Sequence, residues 1–403
     1  MFKLDVKKII MAVIPFIILT LAWILAMGKL GSYSKLNIIF ATLPYVLAFF
    51  SLLLSVWFQH SRTFYAVCIL VFAMAAVTSF EGLNHKALVN GLALILPITF
   101  IILAVVKERG ITSRYGLIKG LVFIALILAV FLDAGRTEPL LAGMKAANPV
   151  FSSAESMAGI PRGGVFLFIV CLCILITRFM VFFSNMDMAF TGASLGSFLI
   201  LHFTEYPDVL SIFFSAVFLI FMIALFQTSY SLAFHDTLTG VLSRRALEQE
   251  MLRLGKKFAV AMVDIDHFKR VNDRYGHKVG DDVLKMIASM IEKNADGGKT
   301  FRYGGEEFVV IFPRRSAEEI YDVMDQLREA IEKRPLVIRS SKRPKHKPKT
   351  KIFREGSNEK IKITVSIGIA DKNEKITSAG RVIEAADKAL YKAKKNGRNC
   401  IMH

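Results

Sequence analysis

The sequence predicts an α-helical polytopic membrane domain followed by an α/β domain. Three observations predict it. Long apolar runs with few charges fill the chain from Met1 to Phe226, charged residues become dense from His235 to His403, and short β-rich runs in that second half alternate with helix-period segments. Apolar residues make up 54% of the 403 and mean hydropathy is +0.48, above the range of an ordinary soluble protein. The expected organisation is an integral membrane domain over 1–226, a helical linker over 227–234 and a second domain over 235–403.

A helix needs about 20 apolar residues to cross the hydrocarbon core. Eight candidate spans meet or approach that length: 9–27, 38–58, 64–80, 88–106, 117–132, 163–183, 188–203 and 209–226. The first lacks a small-residue cleavage site and is expected to be retained. Lys3, Lys7 and Lys8 precede it, and Lys107, Arg109, Arg114 and Lys119 follow the fourth. Positive residues favour the cytoplasmic side, so the N-terminus is expected there, and an even span count returns the second domain to the cytoplasm. The long loop 133–162 falls outside. His202 is a candidate sensing group, set against the plainer reading of a span-end histidine beside Glu205.

The net charge of +18 divides into +6 before Gln227 and +12 after it. A basic second half suits polyanionic substrates or an anionic membrane surface. Cys68, Cys171, Cys173 and Cys400 show neither metal-ligand spacing nor a disulfide framework and read as small apolar residues.

The second domain reads as helix 244–254, buried strand 258–265, helix 281–294, a hairpin around Gly304-Gly305-Glu306-Glu307, helix 317–333, strand 361–370 and helix 381–396. Asp264 ends the first strand, where ligands of α/β sheets collect. Asp266 and Lys269 follow on the expected loop. Glu306 and Glu307 sit at the hairpin tip, where two glycines admit a ligand close to the backbone. Clustered carboxylates repel when bare, so this oxygen-rich cleft calls for a cation, and hard oxygen donors select Mg²⁺ or Mn²⁺. Lys394 and Arg398, at the end of the last helix, are placed to neutralise a triphosphate. There is no G-x-x-x-x-G-K-[ST] loop, so a P-loop site is excluded.

Arg302-Tyr303-Gly304-Gly305-Glu306-Glu307-Phe308 resembles the GGDEF signature of diguanylate cyclases in its GGEEF form. Asp236-Thr237-Leu238-Thr239-Gly240 resembles that family's entry motif. Asp264-Ile265-Asp266-His267-Phe268-Lys269, Asn272-Asp273, Gly276-His277 and Gly280-Asp281 resemble its metal- and base-binding stretch. Val365-Ser366-Ile367-Gly368, Ala389-Leu390-Tyr391-Lys392-Ala393-Lys394 and Gly397-Arg398-Asn399 resemble its closing strand and helix. The resemblance covers about two fifths of the chain, in five ordered motifs.

The resemblance implies a mainly antiparallel central sheet flanked by helices, a nucleotidyl-cyclase or palm-like fold. It implies condensation of two GTP into cyclic di-GMP in a homodimer at the bacterial inner membrane. Asp264, the Ile265 carbonyl and Glu306 are implied to hold two Mg²⁺ or Mn²⁺ ions, with Asp264, Glu306 and Glu307 forming the catalytic site. Asn272 and Asp281 would read the guanine edge. Lys269, Lys394 and Arg398 would hold phosphates, with Gly304 and Gly305 beneath the nucleotide. The implied chemistry is two-metal phosphoryl transfer. No nucleic-acid polymer is implied; the bilayer and an unknown signal ligand complete the partners.

Two departures stand out. The family's inhibitory R-x-x-D falls on Ala295 and Gly298, so no inhibitory site is expected. The basic run 334–360 is longer than many relatives need; it suits anionic lipid or a partner, or is a plain solvated loop. Two other functions compete with the active cyclase. One is a degenerate domain that binds GTP as a signalling module; the other makes the membrane half a receptor or transporter with a regulatory tail.

Overall fold

Among the described residues, eight helices lie in the N-terminal half: α1 (Val6–Met27), α2 (Ser34–Trp57), α3 (Ser61–Ser79), α4 (His85–Val105), α5 (Arg114–Ala134), α6 (Arg162–Phe182), α7 (Asn185–His202) and α8 (Pro207–Phe234). The computed structural model describes residues 6–28, 34–79, 85–134, 160–338, 359–374, 376 and 378–403. The chain divides into two units, Met1–Ser229 and Tyr230–His403, the division falling within α8. Most of the loop 133–162 and of the basic run 334–360 lies outside the described residues.

Among the described residues, five helical stretches are long and apolar enough to cross a membrane: Ile38–Trp57, Ser61–Ser79, Ala87–Val105, Arg162–Phe182 and Pro207–Phe234. Ala12–Met27 is a shorter apolar helix. The candidate spans 117–132 and 188–203 are helical but are not among the five. In α7 the reason is visible. Asp187, Thr191, Ser194 and Ser197 are all buried there, so its polar groups face protein rather than lipid. The unit's core is aromatic: Phe190 packs against Phe100 and Phe221 with ring centroids 6.1 and 5.5 Å apart. His202 is the last residue of α7, its ring 4.4 Å from that of Phe203.

A polar knot closes one end of this bundle. The first N–H groups of a helix have no partner within it. Glu108, in the loop after α4, takes those of Ser61 and Arg62 at the start of α3, at 2.9 and 3.0 Å. It also accepts the Ser61 hydroxyl at 2.5 Å and the Gly110 N–H at 3.2 Å. Lys119 of α5 donates to the Ser61 hydroxyl and to the Lys107 carbonyl. Burial pushes the Glu108 carboxyl up, but the Ser61 and Arg62 donors outweigh it and hold the group below the usual carboxylate range. One carboxylate thus ties α3, α4 and α5 together.

The second unit contains α9 (Arg244–Met251), β1 (Phe258–Ile265), α10 (Phe268–Tyr275), α11 (His277–Asn294), β2 (Lys299–Arg302), β3 (Glu307–Pro313), α12 (Ala317–Glu332), β4 (Leu336–Ile338), β5 (Glu359–Ile361), β6 (Val365–Asp371), α13 (Ala379–Lys395) and β7 (Ile401–Met402). The main sheet has the order β2-β3-β1-β6-β7 and is antiparallel except for the parallel β6–β7 pair. β4 and β5 form a separate antiparallel pair.

Side chains alternate across a strand, and β1 divides accordingly. Ala259, Ala261, Val263 and Ile265 enter one core with Val283 and Ile287 of α11 and Ile320 and Leu327 of α12. Phe258, Val260 and Met262 enter the opposite core with Leu247 of α9 and Val382, Ala386 and Leu390 of α13. Continuing the alternation puts Asp264 on the α9/α13 face.

Several sequence expectations are corrected. The segment after Asp266, read as loop, contains α10, so Lys269 and Asn272 stand on a helix. The helix expected over 281–294 starts four residues earlier, at His277, which opens α11. Helix α9 ends at Met251 rather than 254. The strand 361–370 is interrupted over 362–364 and splits into β5 and β6. An eight-residue helix spans barely two turns, too few for a hydrophobic period to stand out.

Removing the knot's carboxylate leaves buried donors without acceptors and Arg62 without its counter-charge. Glu108→Ala is therefore expected to destabilise the N-terminal unit by about 3 kcal/mol. Thermal unfolding of the detergent-solubilised protein, compared with an exposed-site control such as Arg114→Ala, measures this; an unchanged melting temperature contradicts the capping role.

Candidate active site

The antiparallel register pairs Asp264 directly with Glu307. Opposed residues of an antiparallel pair project to the same face, and Glu307 shares its parity with Val309 and Ile311 of the α9/α13 core. The apolar stripe of that face ends in two facing carboxylates. Glu306 adds a third from the β2–β3 turn, which is closed by the Tyr303 and Gly304 N–H groups donating to the Glu307 carbonyl at 2.9 and 3.3 Å. Lys394, in the last turn of α13, reaches the Asp264 carboxylate at 2.8 Å.

Close helix–sheet packing brings Lys394 there. A Cβ on Gly368 of β6 would lie 2.1 Å from the Ala386 carbonyl and 2.2 Å from the Leu390 nitrogen. Only a hydrogen fits, so the backbone of α13 rests directly on β6.

The electrostatics are those of confined like charges. Asp264 is 4% exposed. Burial pushes its carboxyl up, Lys394 pulls it down, and the net shift is upward. Glu306 is raised by burial and then by Asp264; Glu307 is raised by burial and then by Asp264 in the same way. Arg398 lies within electrostatic reach of Asp264. Three carboxylates thus face one close ammonium, which leaves a site still short of positive charge.

The donors are all hard oxygens, which fits a divalent metal of the Mg²⁺ type. Among the described residues no group of three or more His, Cys, Asp and Glu is arranged to hold an ion alone. Gly305 is exposed, and among the described residues a Cβ there would meet nothing within 4 Å.

A second cluster lies on α10 and α11. A Cβ on Gly280 would sit 1.9 Å from the Asn272 side-chain oxygen and 3.3 Å from the Phe268 ring. The missing side chain lets Asn272 lie against α11 beside Asp281. Asn272 and Asp281 are both half-buried and Lys269 is exposed. A cleft lined by Arg270, Arg274, Ile363 and Lys362 opens beside α10, but Asp264, Asn272, Asp281 and Glu306 do not line it.

Two residues with consequences for the site were named from sequence but given no role. Arg302 donates to both Asp236 oxygens at 2.9 and 3.1 Å and to the Gly305 carbonyl at 2.7 Å. It ties the entry segment to the turn that carries Glu306. Asp266, next to Ile265, is buried and accepts from three donors, the Ser366 and Thr364 hydroxyls and the Asn399 N–H. Their adjacency to motif positions was the only available signal.

Residues 233–400 match the family model described as "Diguanylate cyclase, GGDEF domain". The C-terminal unit belongs to the GGDEF family. The domain is 38% identical over 144 residues to diguanylate cyclase A of Treponema denticola, covering 35% of this chain and 33% of that protein. It is 36% identical over 174 residues to diguanylate cyclase VdcA of Vibrio cholerae, covering 42% and 47%. A solved structure of the GGDEF domain of DgcB from Caulobacter crescentus, in complex with c-di-GMP, is 35% identical; the match covers 42% of this chain and 92% of that one at a TM-score of 0.36. The chain spans less than half the length of the curated relatives named here.

Mutual repulsion in the GGDEF site has a stability consequence with a definite sign. A carboxyl whose pKa is raised by folding favours the fold when protonated. The penalty is absent below the unfolded-state pKa and sets in as pH rises through the folded value. At neutral pH Glu306→Gln is therefore expected to raise the melting temperature of the metal-free protein by a few degrees. The gain should shrink with Mg²⁺ and a guanine nucleotide present. Calorimetry in EDTA against Mg²⁺ measures both, and a fall in EDTA contradicts the electrostatic assignment.

Proposed function

We propose that this chain is a membrane-anchored diguanylate cyclase that condenses two GTP into cyclic di-GMP and two pyrophosphates. The observation that carries the reading is the meeting of Asp264, Glu306 and Glu307 on one face with Lys394. The family membership of the domain supports it, as does the oxygen-rich, charge-deficient character of the cluster.

In this reading Asn272 and Asp281 hold the guanine. The amide supplies both a donor and an acceptor, and the carboxylate accepts from the base N–H groups. Lys269, Lys394 and Arg398 hold the triphosphate, while Gly304 and Gly305 leave room for the sugar and phosphates. Asp264, the Ile265 carbonyl and Glu306 would hold two Mg²⁺ or Mn²⁺ ions, with Glu307, directly opposite Asp264, completing the set. Bound cations supply charge neutralisation at the α-phosphate and the leaving pyrophosphate.

Glu306, with its proton affinity raised by burial and by Asp264, is suited to accept the proton of the attacking 3′-hydroxyl. The oxygen forms a bond to the α-phosphorus of the second GTP as the bond to pyrophosphate breaks, and the step repeats in the other direction. Each domain holds one GTP, so two domains must face each other; a homodimer set by the membrane half and residues 227–234 meets that need. Lysines and arginines before α1 and around 107–119 favour the inner membrane with the N-terminus and the catalytic domain in the cytoplasm.

Ala295 is buried at the end of α11, and a Cβ on Gly298 would lie 2.7 Å from Phe312 and Val310. Neither position has room or chemistry for the arginine and aspartate of an inhibitory site.

Purified protein given GTP and Mg²⁺ is expected to form cyclic di-GMP, and Glu306→Gln to lower the rate about 100-fold or more. Equal rates overturn the site assignment. Gly280→Ala is expected to raise KM for GTP about tenfold by displacing Asn272. Initial rates should be unchanged by added low-micromolar product; strong inhibition contradicts the loss of feedback.

A further inference from the structure

Asp266 is 6% exposed, yet it carries a carboxylate. Burying a carboxylate this deeply is costly unless donors satisfy it. The Ser366 hydroxyl donates to Oδ1 at 2.6 Å. The Thr364 hydroxyl and the Asn399 backbone N–H donate to Oδ2 at 2.7 and 3.1 Å. The Asp266 N–H in turn donates to the Thr364 carbonyl at 3.0 Å. One side chain joins the end of β1, the start of β6 and the segment after α13.

That last segment is held against its own preference. Gly397, Arg398 and Asn399 have φ of +99°, +67° and +47°. Two consecutive non-glycine residues in the left-handed region are uncommon and persist only where surrounding contacts over-determine them. The Arg398 N–H donates to the Ala393 carbonyl at 3.1 Å, and Arg328 donates to the Asn399 side-chain oxygen at 3.3 Å. The Asp266 carboxylate supplies the charge-assisted contact to the backbone, at the residue next to Arg398.

We propose that Asp266 is a positioning residue. By accepting the Asn399 N–H it fixes the left-handed turn that aims Arg398 at the phosphates of bound GTP. This rests on the cyclase reading for the identity of the ligand. It assigns Asp266 no contact with substrate or metal. Asparagine at this position is nearly isosteric. Its amide must place an N–H where one acceptor oxygen stood, so one set of donors loses its partner.

The test uses the full chain in detergent micelles. Calorimetric titration with GTP and with GMP, which lacks the β- and γ-phosphates, is run on the parent, Asp266→Asn, Arg398→Ala and the double variant. Asp266→Asn is expected to weaken GTP binding about tenfold and GMP binding less than about twofold. On the Arg398→Ala background it should add less than about twofold, because the two act as one unit. Hydrogen exchange of the peptide spanning 396–400 should be faster in Asp266→Asn by about tenfold. If Asp266→Asn does not fold, Thr364→Val, which removes one donor and keeps the charge, should weaken GTP alone by about threefold.

Equal losses for GTP and GMP, additive losses with Arg398→Ala, or unchanged exchange at 396–400 would each overturn the proposal. A parent protein that binds no guanine nucleotide would instead overturn the cyclase reading. Exchange at 396–400 would then still decide whether Asp266 holds the turn.

Discussion

The burial of carboxylates side by side is the constraint on which the GGDEF unit is built. Asp264 and Glu307 face each other across an antiparallel pair, and Glu306 stands on the adjoining turn. Left to themselves these groups would separate. They are held together by strand registration, by the resting of α13 on β6 at Gly368, and by the single ammonium of Lys394. Burial first, and for Glu306 and Glu307 then the neighbouring Asp264, shifts all three carboxyls upward, a cost of holding charge there. Cations and a nucleotide triphosphate that met the residual charge would relieve it, which is how a site can be costly when bare and stable when loaded.

Around this centre the structure uses charge differently. Asp266 is as buried as Asp264, but its oxygens are met by hydroxyls and a backbone N–H. Asp236 is met by Arg302 and by Thr239. The two satisfied carboxylates tie the segments that carry the site. The strained ones form it. In the N-terminal unit Glu108 belongs with the satisfied group, because it takes the unpaired N–H groups at the start of α3. The same side-chain chemistry is structural or functional according to whether donors were built to receive it.

Much of the candidate site was legible in the sequence because its residues sit in short local motifs. Asp264 ended an apolar β-rich run. Glu306 and Glu307 followed two glycines between two such runs. Lys394 and Arg398 closed the last helix. Helix α10 was not legible: eight residues carry too little periodicity, and charges at Lys269, Arg270, Asp273 and Arg274 conceal the buried Phe268 and Val271. The extra pair β4–β5 and the two-residue β7 were missed for a related reason, since their partners, not their composition, make them strands.

The sequence by itself determined the division into an apolar helical half and a charged α/β half, the order of the longer elements, and the identity of the groups proposed to hold a cation and a triphosphate. These follow from composition and local periodicity, which a linear chain displays directly. Tertiary structure alone decided that Glu307 rather than Glu306 stands opposite Asp264, because strand register is a pairing between distant segments. It also decided that Asp266 serves the turn of Arg398 and Asn399, and that Gly280 and Gly368 mark places where another part of the chain comes within bonding distance. Contacts between residues about a hundred positions apart leave no mark on either residue's neighbours in sequence; they exist only once the sheet has brought the two together.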